Sequence, residues 1–215
     1  MVELLEVFGD DLTVVNAARV SFEKVSNELS QKDEKLISYL AMHNHSSPFF
    51  HPQARFRLKM PLFVAREWFR HQIGFARNEV SRRYVDSEPE FWVPTQLRKR
   101  DENKKQGSKS EQIQYNGHCL VHVRKNNEKC LETYNYLLGH GVCPEQARAV
   151  LPQSMLTEFI ETGSLAAYAR LYNLRTDPSA QKEIREIAEQ VGMLLAEKFP
   201  ISWSALTSHH SSVSE

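Results

Sequence analysis

The sequence predicts a single domain of mixed strands and helices, and three observations predict it. Residues 53–60 alternate strictly, with Ala54, Phe56, Leu58 and Met60 against Gln53, Arg55, Arg57 and Lys59. That is the period-2 pattern of a strand with one buried and one basic face. Ile184, Ile187, Ala188, Val191, Leu194 and Leu195 recur at helical spacing instead, so a strongly amphipathic helix closes the chain against a core or a subunit interface. At 215 residues the chain is long enough to bury a real core as one unit.

Composition narrows the function classes. Lys+Arg and Asp+Glu both total 27, so the net charge is zero and any basic character must be local. A free-standing nucleic-acid binder usually carries a basic excess, so no nucleic-acid partner is expected. No apolar run reaches membrane-spanning length, and Met1-Val2-Glu3-Leu4 is acidic rather than signal-like, so no membrane association is expected. Cys119, Cys130 and Cys143 are widely spaced, odd in number and form no Cys-x-x-Cys pair. They suit reduced thiols in a cytoplasmic setting, used in buried packing.

Taken in order, residues 2–8 read as an opening strand closed by Gly9-Asp10-Asp11, and 14–20 as a short helix. Ser30 followed by Asp33 resembles a capping box for a helix over 31–43, whose stripe is Leu36, Ile37 and Leu40. His43-Asn44-His45-Ser46-Ser47-Pro48 breaks it. Pro61 suits the first position of a helix with Leu62, Ala65, Trp68 and Phe69 on its buried side, which would deliver Arg70 and His71 at its end. Gly74 is expected to end or bend that helix, and 81–85 to resume as strand. Phe91-Trp92-Val93-Pro94 is an apolar anchor before 95–112, which carries almost no apolar residue and reads as a mobile surface loop. Residues 113–138 are helical, with Leu120, Leu131, Tyr134 and Leu138 buried, and Gly139-His140-Gly141 caps them. Pro144 opens a short helix carrying Arg148. A strand over 155–161 and a helix over 165–175 follow, the latter with Arg170 and Arg175 towards one side. Asp177-Pro178 is a cap and first position for the last helix, and the tail from Ser208 is polar and frayed.

Chemistry concentrates in residues 70–84, which hold Arg70, Arg77, Arg82 and Arg83 with a carboxylate, an imidazole, two amides and a hydroxyl. Their polar positions run all the way round a helical wheel, so they are not the solvated face of one helix. Several guanidiniums together imply a polyanionic ligand. Metal readings are weaker. His43, His45 and His51 lie in a loop where hydrogen bonding to backbone is the commoner use. His118 and His122 have ligand spacing but lack the glutamate of a His-Glu-x-x-His site. No metal is expected. Gly139-His140-Gly141 mimics a dinucleotide fingerprint without its third glycine or preceding strand.

Arg70-His71-Gln72 followed by Asn78-Glu79-x-Ser81-x-Arg83-Tyr84 resembles the signature of the flavin-dependent thymidylate synthases, whose usual form begins Arg-His-Arg. The likeness extends to Ala17-Ala18-Arg19-Val20-Ser21, His45-x-Ser47-Pro48-Phe49-x-His51, and Pro61-x-Phe63-Val64-Ala65-Arg66-x-Trp68-Phe69. It continues through Ala147-Arg148-x-x-Leu151-Pro152 and Leu174-Arg175-x-Asp177-x-x-Ala180-Gln181-x-Glu183-Ile184. The resemblance implies an α+β fold with a mostly antiparallel sheet packed with helices, in a homotetramer whose active sites lie at subunit interfaces. It implies conversion of dUMP to dTMP, with FAD as hydride donor, NADPH as reductant, methylenetetrahydrofolate as one-carbon donor and no protein nucleophile. Carried over residue by residue, it places Arg70, Glu79, Ser81, Arg83, Arg148 and Arg175 at dUMP. His45, Ser47, Arg70, His71, Gln72, Asn78, Glu79, Ser164 and Arg170 fall at FAD. Arg175 is the catalytic candidate, a fixed cation beside the pyrimidine. Three positions depart from the family pattern: Gln72 for arginine, Glu67 where glutamine is common, and Arg170 where asparagine or histidine is commoner. Arg170 would offset the charge missing at Gln72. Competing readings are a nucleic-acid module, opposed by zero net charge and by Glu79 among the arginines, and a metal-dependent nucleotide hydrolase, which lacks clustered acidic ligands.

Overall fold

A computed structural model describes residues 1–102 and 107–208; parts of the expected mobile loop and frayed tail (103–106 and 209–215) lie outside the described residues. Backbone contacts divide the chain into two compact units: Met1–Leu58, Arg70–Asn78 and Ile160–Glu215 form the first, and Lys59–Phe69 with Glu79–Phe159 the second.

A four-stranded sheet, most of whose residues belong to the first unit, is formed by β1 (Val2–Phe8), β2 (Gln53–Pro61), β6 (Leu156–Ser164) and β3 (Phe75–Glu79), in the order β1-β2-β6-β3. The antiparallel β1–β2 register pairs Val2 with Leu58 and Phe8 with Gln53, with an irregularity between Leu4 and Glu6. Ala54, Phe56 and Leu58 are buried, as their alternation requires. Helices α1 (Asp11–Arg19), α2 (Gln31–Met42), α6 (Leu165–Arg175), α7 (Lys182–Lys198) and α8 (Pro200–Thr207) complete the unit. The α+β class with its antiparallel sheet and packed helices is therefore as expected.

Local chemistry explains the boundaries. Helix α1 begins earlier than its apolar pattern suggests. Asp10 accepts the Thr13 N–H at 2.9 Å and its own N–H donates to Thr13 Oγ1 at 3.0 Å. In α2 the Ser30 N–H donates to the Asp33 carboxylate at 2.9 Å, which closes the expected box. Helix α7 starts at Lys182 rather than at Pro178, because Asp177 closes its own turn by accepting the Ser179 N–H at 2.7 Å. Ile184, Ala188, Val191 and Leu195 are buried, and Gly192 lets α7 approach α6. A Cβ there would come within 2.3 Å of the Tyr172 ring.

Helix α8 did not emerge from the pattern. Its first turn is held by Asp11, which is 3% exposed and accepts the N–H groups of Ile201 at 3.0 Å and Ser202 at 2.8 Å. One carboxylate thus caps a helix 190 residues away. Asp11→Ala is expected to destabilise the protein by about 2 kcal/mol, because two N–H donors lose their acceptor. A denaturant melt whose midpoint does not move would remove this cap from the account.

The second unit contains α3 (Leu62–Trp68), β4 (Arg98–Arg100), β5 (Ser108–Gln112), α4 (Asn116–Gly139) and α5 (Pro144–Ala147). Its core is Tyr134, Ala147, Leu151 and Met155, with Leu62, Phe91, Leu131 and Leu138 packed against it. The apolar anchor is real: Phe91 bridges Met155, and the Trp92 N–H donates to the Ser154 carbonyl at 2.8 Å.

Four expectations are corrected. Helix α3 ends at Trp68, so it does not deliver Arg70 and His71, which lie in the following turn. Gly74, at φ +83°, turns the chain straight into β3, so the strand is 75–79 and residues 81–85 form a turn. In place of a loop without structure, Arg98 pairs with Gln112 and Arg100 with Ser108. That hairpin is polar on both faces and gives no alternating signal. Finally, Cys119 and Cys130 are only partly buried and Cys143 is exposed, so none is a core side chain.

Candidate functional site

The site residues fall into two sets, one in each unit. In the first unit they gather round the turn at 69–74. Gly74 is required there twice over, by its left-handed backbone and by space: a Cβ would lie 2.9 Å from the Ala167 methyl and 3.0 Å from Ser164 Oγ. The Ser164 N–H donates to the Gly74 carbonyl at 3.1 Å, and its hydroxyl oxygen accepts the Ala167 N–H at 3.2 Å, which starts α6. Ser164 is buried and acts as the helix cap.

From that fixed start, α6 carries two guanidiniums back to the turn. Arg170 Nη2 donates to the Ile73 carbonyl at 2.6 Å, and Arg175 Nε donates to His71 Nε2 at 2.9 Å. The sequence expectation that both arginines reach one side is met. To accept this bond, His71 Nε2 must be unprotonated. His71 is 8% exposed, and burial first, then the charges of Arg175, Arg170 and Arg77, pull it from 6.5 down to about 4. Because its folded value is depressed, its contribution is complete above about 6.5 and is lost as pH falls towards about 4. An NMR titration of the His71 ring is expected to give a midpoint near 4; a midpoint near 6.5 would show the ring to be in water.

Beneath this turn, Arg77 of β3 pairs with Glu161 of β6, whose side chain is 0% exposed. Arg77 also lies 4.7 Å over the Phe75 ring. The strand period puts Asn78 on the opposite face. There it lines an open cavity of about 340 Å³ with Arg55, Thr162 and Glu6. Within one chain, therefore, Asn78 is not brought together with His71 and Arg175. His45 and Ser47 are exposed and line a larger cavity of about 810 Å³ with α1 and α2. Arg70, Gln72 and Ile73 are exposed on the turn itself.

In the second unit, Glu79 accepts a hydrogen bond from Thr157 Oγ1 at 2.5 Å, and the Val80 N–H donates to Glu158 at 2.9 Å where the pairing ends. The chain then folds into the 81–84 turn, with the Tyr84 N–H donating to the Ser81 carbonyl at 3.0 Å. Ser81 Oγ accepts the Arg83 N–H at 3.4 Å, a local use of its oxygen with no base beside it. Arg83 reaches Glu145 of α5 at 3.4 Å and lies 4.9 Å over the Tyr84 ring. Arg82 donates to the Ser87 carbonyl. Arg148, at the C-terminal end of α5, is exposed. Arg82 and Arg83 line a cavity of about 390 Å³ with Asp86, Tyr134 and Asn135.

Among the described residues, no three His, Cys, Asp or Glu side chains gather as a metal site requires; His118 and His122 meet edge to face with ring centres 4.7 Å apart. Sequence reasoning missed Glu161 and Thr157. Glu161 was findable: it falls in phase with Phe159 on the buried side of β6, where a carboxylate needs a cation.

Comparison with known proteins identifies the family. A family model described as "Thymidylate synthase complementing protein" matches residues 3–201. A flavin-dependent thymidylate synthase from Thermosipho melanesiensis is 39% identical over 92% of this chain and 86% of its own length. One from Thermus thermophilus is 37% identical over 97% of this chain and 76% of its own. Among solved structures, the UMP/dUMP methylase PolB from Streptomyces cacaoi bound with 5-Br dUMP superposes with a TM-score of 0.87 at 31% identity. That match covers 97% of this chain and 94% of that one.

Proposed function

Because the chain belongs to the flavin-dependent thymidylate synthase family, we propose that it is a thymidylate synthase that converts dUMP to dTMP. Methylenetetrahydrofolate supplies the one-carbon unit in this reading, and NADPH supplies the reducing equivalents. The observation that carries it is the convergence of Arg170, Arg175 and a neutral His71 on one turn, within a chain so similar to enzymes of that name.

The donor set fits a flavin. Exposed Ile73 and Leu174 offer apolar surface for a planar ring, while Arg70, Arg170 and Gln72 offer cations and amide groups for its polar edge and phosphates. Bound FAD supplies the hydride that completes the methyl group. The FAD-holding residues in this proposal are His45, Ser47, Arg70, His71, Gln72, Asn78, Glu79, Ser164 and Arg170. Asn78, which faces away from His71 in one chain, would serve the site of another subunit.

For dUMP we assign Arg70, Arg83 and Arg148 to the phosphate, with Ser81 and Glu79 as hydrogen-bonding partners and Arg175 beside the uracil. Guanidiniums on the phosphate fix the ring's position, and a fixed cation at the ring stabilises charge that develops on it. Glu145 must release Arg83, an exposed pair that is weakly held.

A cytoplasmic homotetramer with one functional domain per chain completes the proposal. The family match running through both units supports the single domain. Large exposed side chains such as Phe8, Val25 and Tyr84 support burial between subunits. No helix of the described residues is long and apolar enough to cross a membrane.

The test is anaerobic. Purified protein is expected to take up FAD, and its NADPH oxidation to respond to dUMP. Protein that binds no flavin overturns the proposal, and zinc retained without flavin points to a hydrolase.

A further inference from the structure

We propose that the cavity between α1, α2 and the 43–48 turn binds the carboxylate tail of the folate co-substrate, with Lys24 and Lys32 as its charge partners. The proposal rests on the thymidylate synthase reading above. At about 810 Å³ the cavity matches the size of a small-molecule site. Three cations line it (Arg19, Lys24 and Lys32) and no acidic residue does, in a chain whose net charge is zero. Arg19 is already neutralised by buried Asp33. Lys24 and Lys32 have no carboxylate partner among the described residues, so two ammonium charges are left facing the cavity. Such a field attracts an anion.

The walls indicate which anion. Tyr39 presents an exposed ring, 4.3 Å from His43 and 6.1 Å from His45 by ring centres, above an apolar floor that includes Leu36 and Pro48. An aromatic body followed by a flexible anionic tail matches that sequence of surfaces. Of the proposed ligands, FAD, dUMP and NADPH carry phosphates, whereas folate carries an aminobenzoyl ring ending in glutamate carboxylates. Lysines act as mobile point charges and suit single carboxylates, while the phosphate groups are assigned arginine forks elsewhere in this chain. His45 and Ser47 line this same cavity and belong to the proposed flavin set, so a folate held here would be beside the hydride donor.

The experiment is isothermal titration of the FAD- and dUMP-loaded protein with folic acid and with its triglutamate. The double variant Lys24→Gln/Lys32→Gln is expected to bind the triglutamate about tenfold and the monoglutamate about threefold more weakly. Its FAD and dUMP affinities are expected to match those of the starting protein. Lys35→Gln, an exposed position of α2 that does not line the cavity, is expected to change folate binding less than about twofold. Unchanged folate binding in the double variant overturns the proposal. So does a loss of FAD or NADPH affinity in its place, which would give the cavity to a dinucleotide. If the starting protein forms dTMP while the double variant binds folate normally, only this assignment fails. If the starting protein forms no dTMP and binds no folate, the thymidylate synthase reading fails with it.

Discussion

Arg175→Ala is expected to reduce dTMP formation by about 10²–10³-fold while the protein stays folded. The guanidinium is in the last turn of α6 and is held by its Nε–H bond to His71 at 2.9 Å. That bond fixes the cation's position, so in the proposed reaction stabilising charge on the uracil would require little reorganisation. The bond lost to His71 is to a neutral ring rather than to a charge. Losing one such bond costs about 1 kcal/mol and lowers the melting temperature by about 2–4 °C in a chain of this size. Arg175→Lys keeps the charge but loses the planar fork, and should fall between the two enzymes in rate. Initial rates of dTMP formation read beside thermal melts check both points. Turnover within about fivefold of the starting protein would remove Arg175 from the catalytic role.

Arg77→Ala is expected to have the largest effect on stability, about 3–5 kcal/mol, or a drop of about 10 °C in melting temperature. It strips the main cation from Glu161, a carboxylate with no exposed surface. The surroundings are dry: Tyr168, behind Glu161, has its hydroxyl raised well above the usual phenol range, chiefly by burial and then by the Glu161 charge. A charge left there without the Arg77 cation keeps much of its desolvation penalty. The matched change Arg77→Met/Glu161→Leu removes both charges and should recover most of the loss. A single variant that melts within about 2 °C of the starting protein would mean water reaches Glu161. The pair also matters for the site, since β3 and β6 flank the turn that bears His71.

The same residues show what a sequence can and cannot say. The strand over 53–60 and the helices at 31–42 and 182–198 were legible because apolar residues recur at one period and nothing distant competes. The turn after Trp68 was not, because Gly74's backbone is dictated by Ser164 and Ala167, some ninety residues on. Helix α8 was missed for a similar reason: its cap comes from Asp11, at the other end of the chain. The paired strands at 98–100 and 108–112 have no buried residue, so no periodicity betrays them. Around the 69–74 turn, the contacts made by Arg170 and Arg175 were not legible. Arg170 donates to the Ile73 carbonyl, a contact no spacing rule predicts.

Formation of dTMP through a bound flavin is tested most directly by one measurement. Purified protein is incubated without oxygen with FAD, dUMP, methylenetetrahydrofolate and NADPH, and the nucleotides are separated and quantified. dTMP is expected only when all four are present. No dTMP from the complete mixture, or equal dTMP from flavin-free protein without added FAD, would contradict the account.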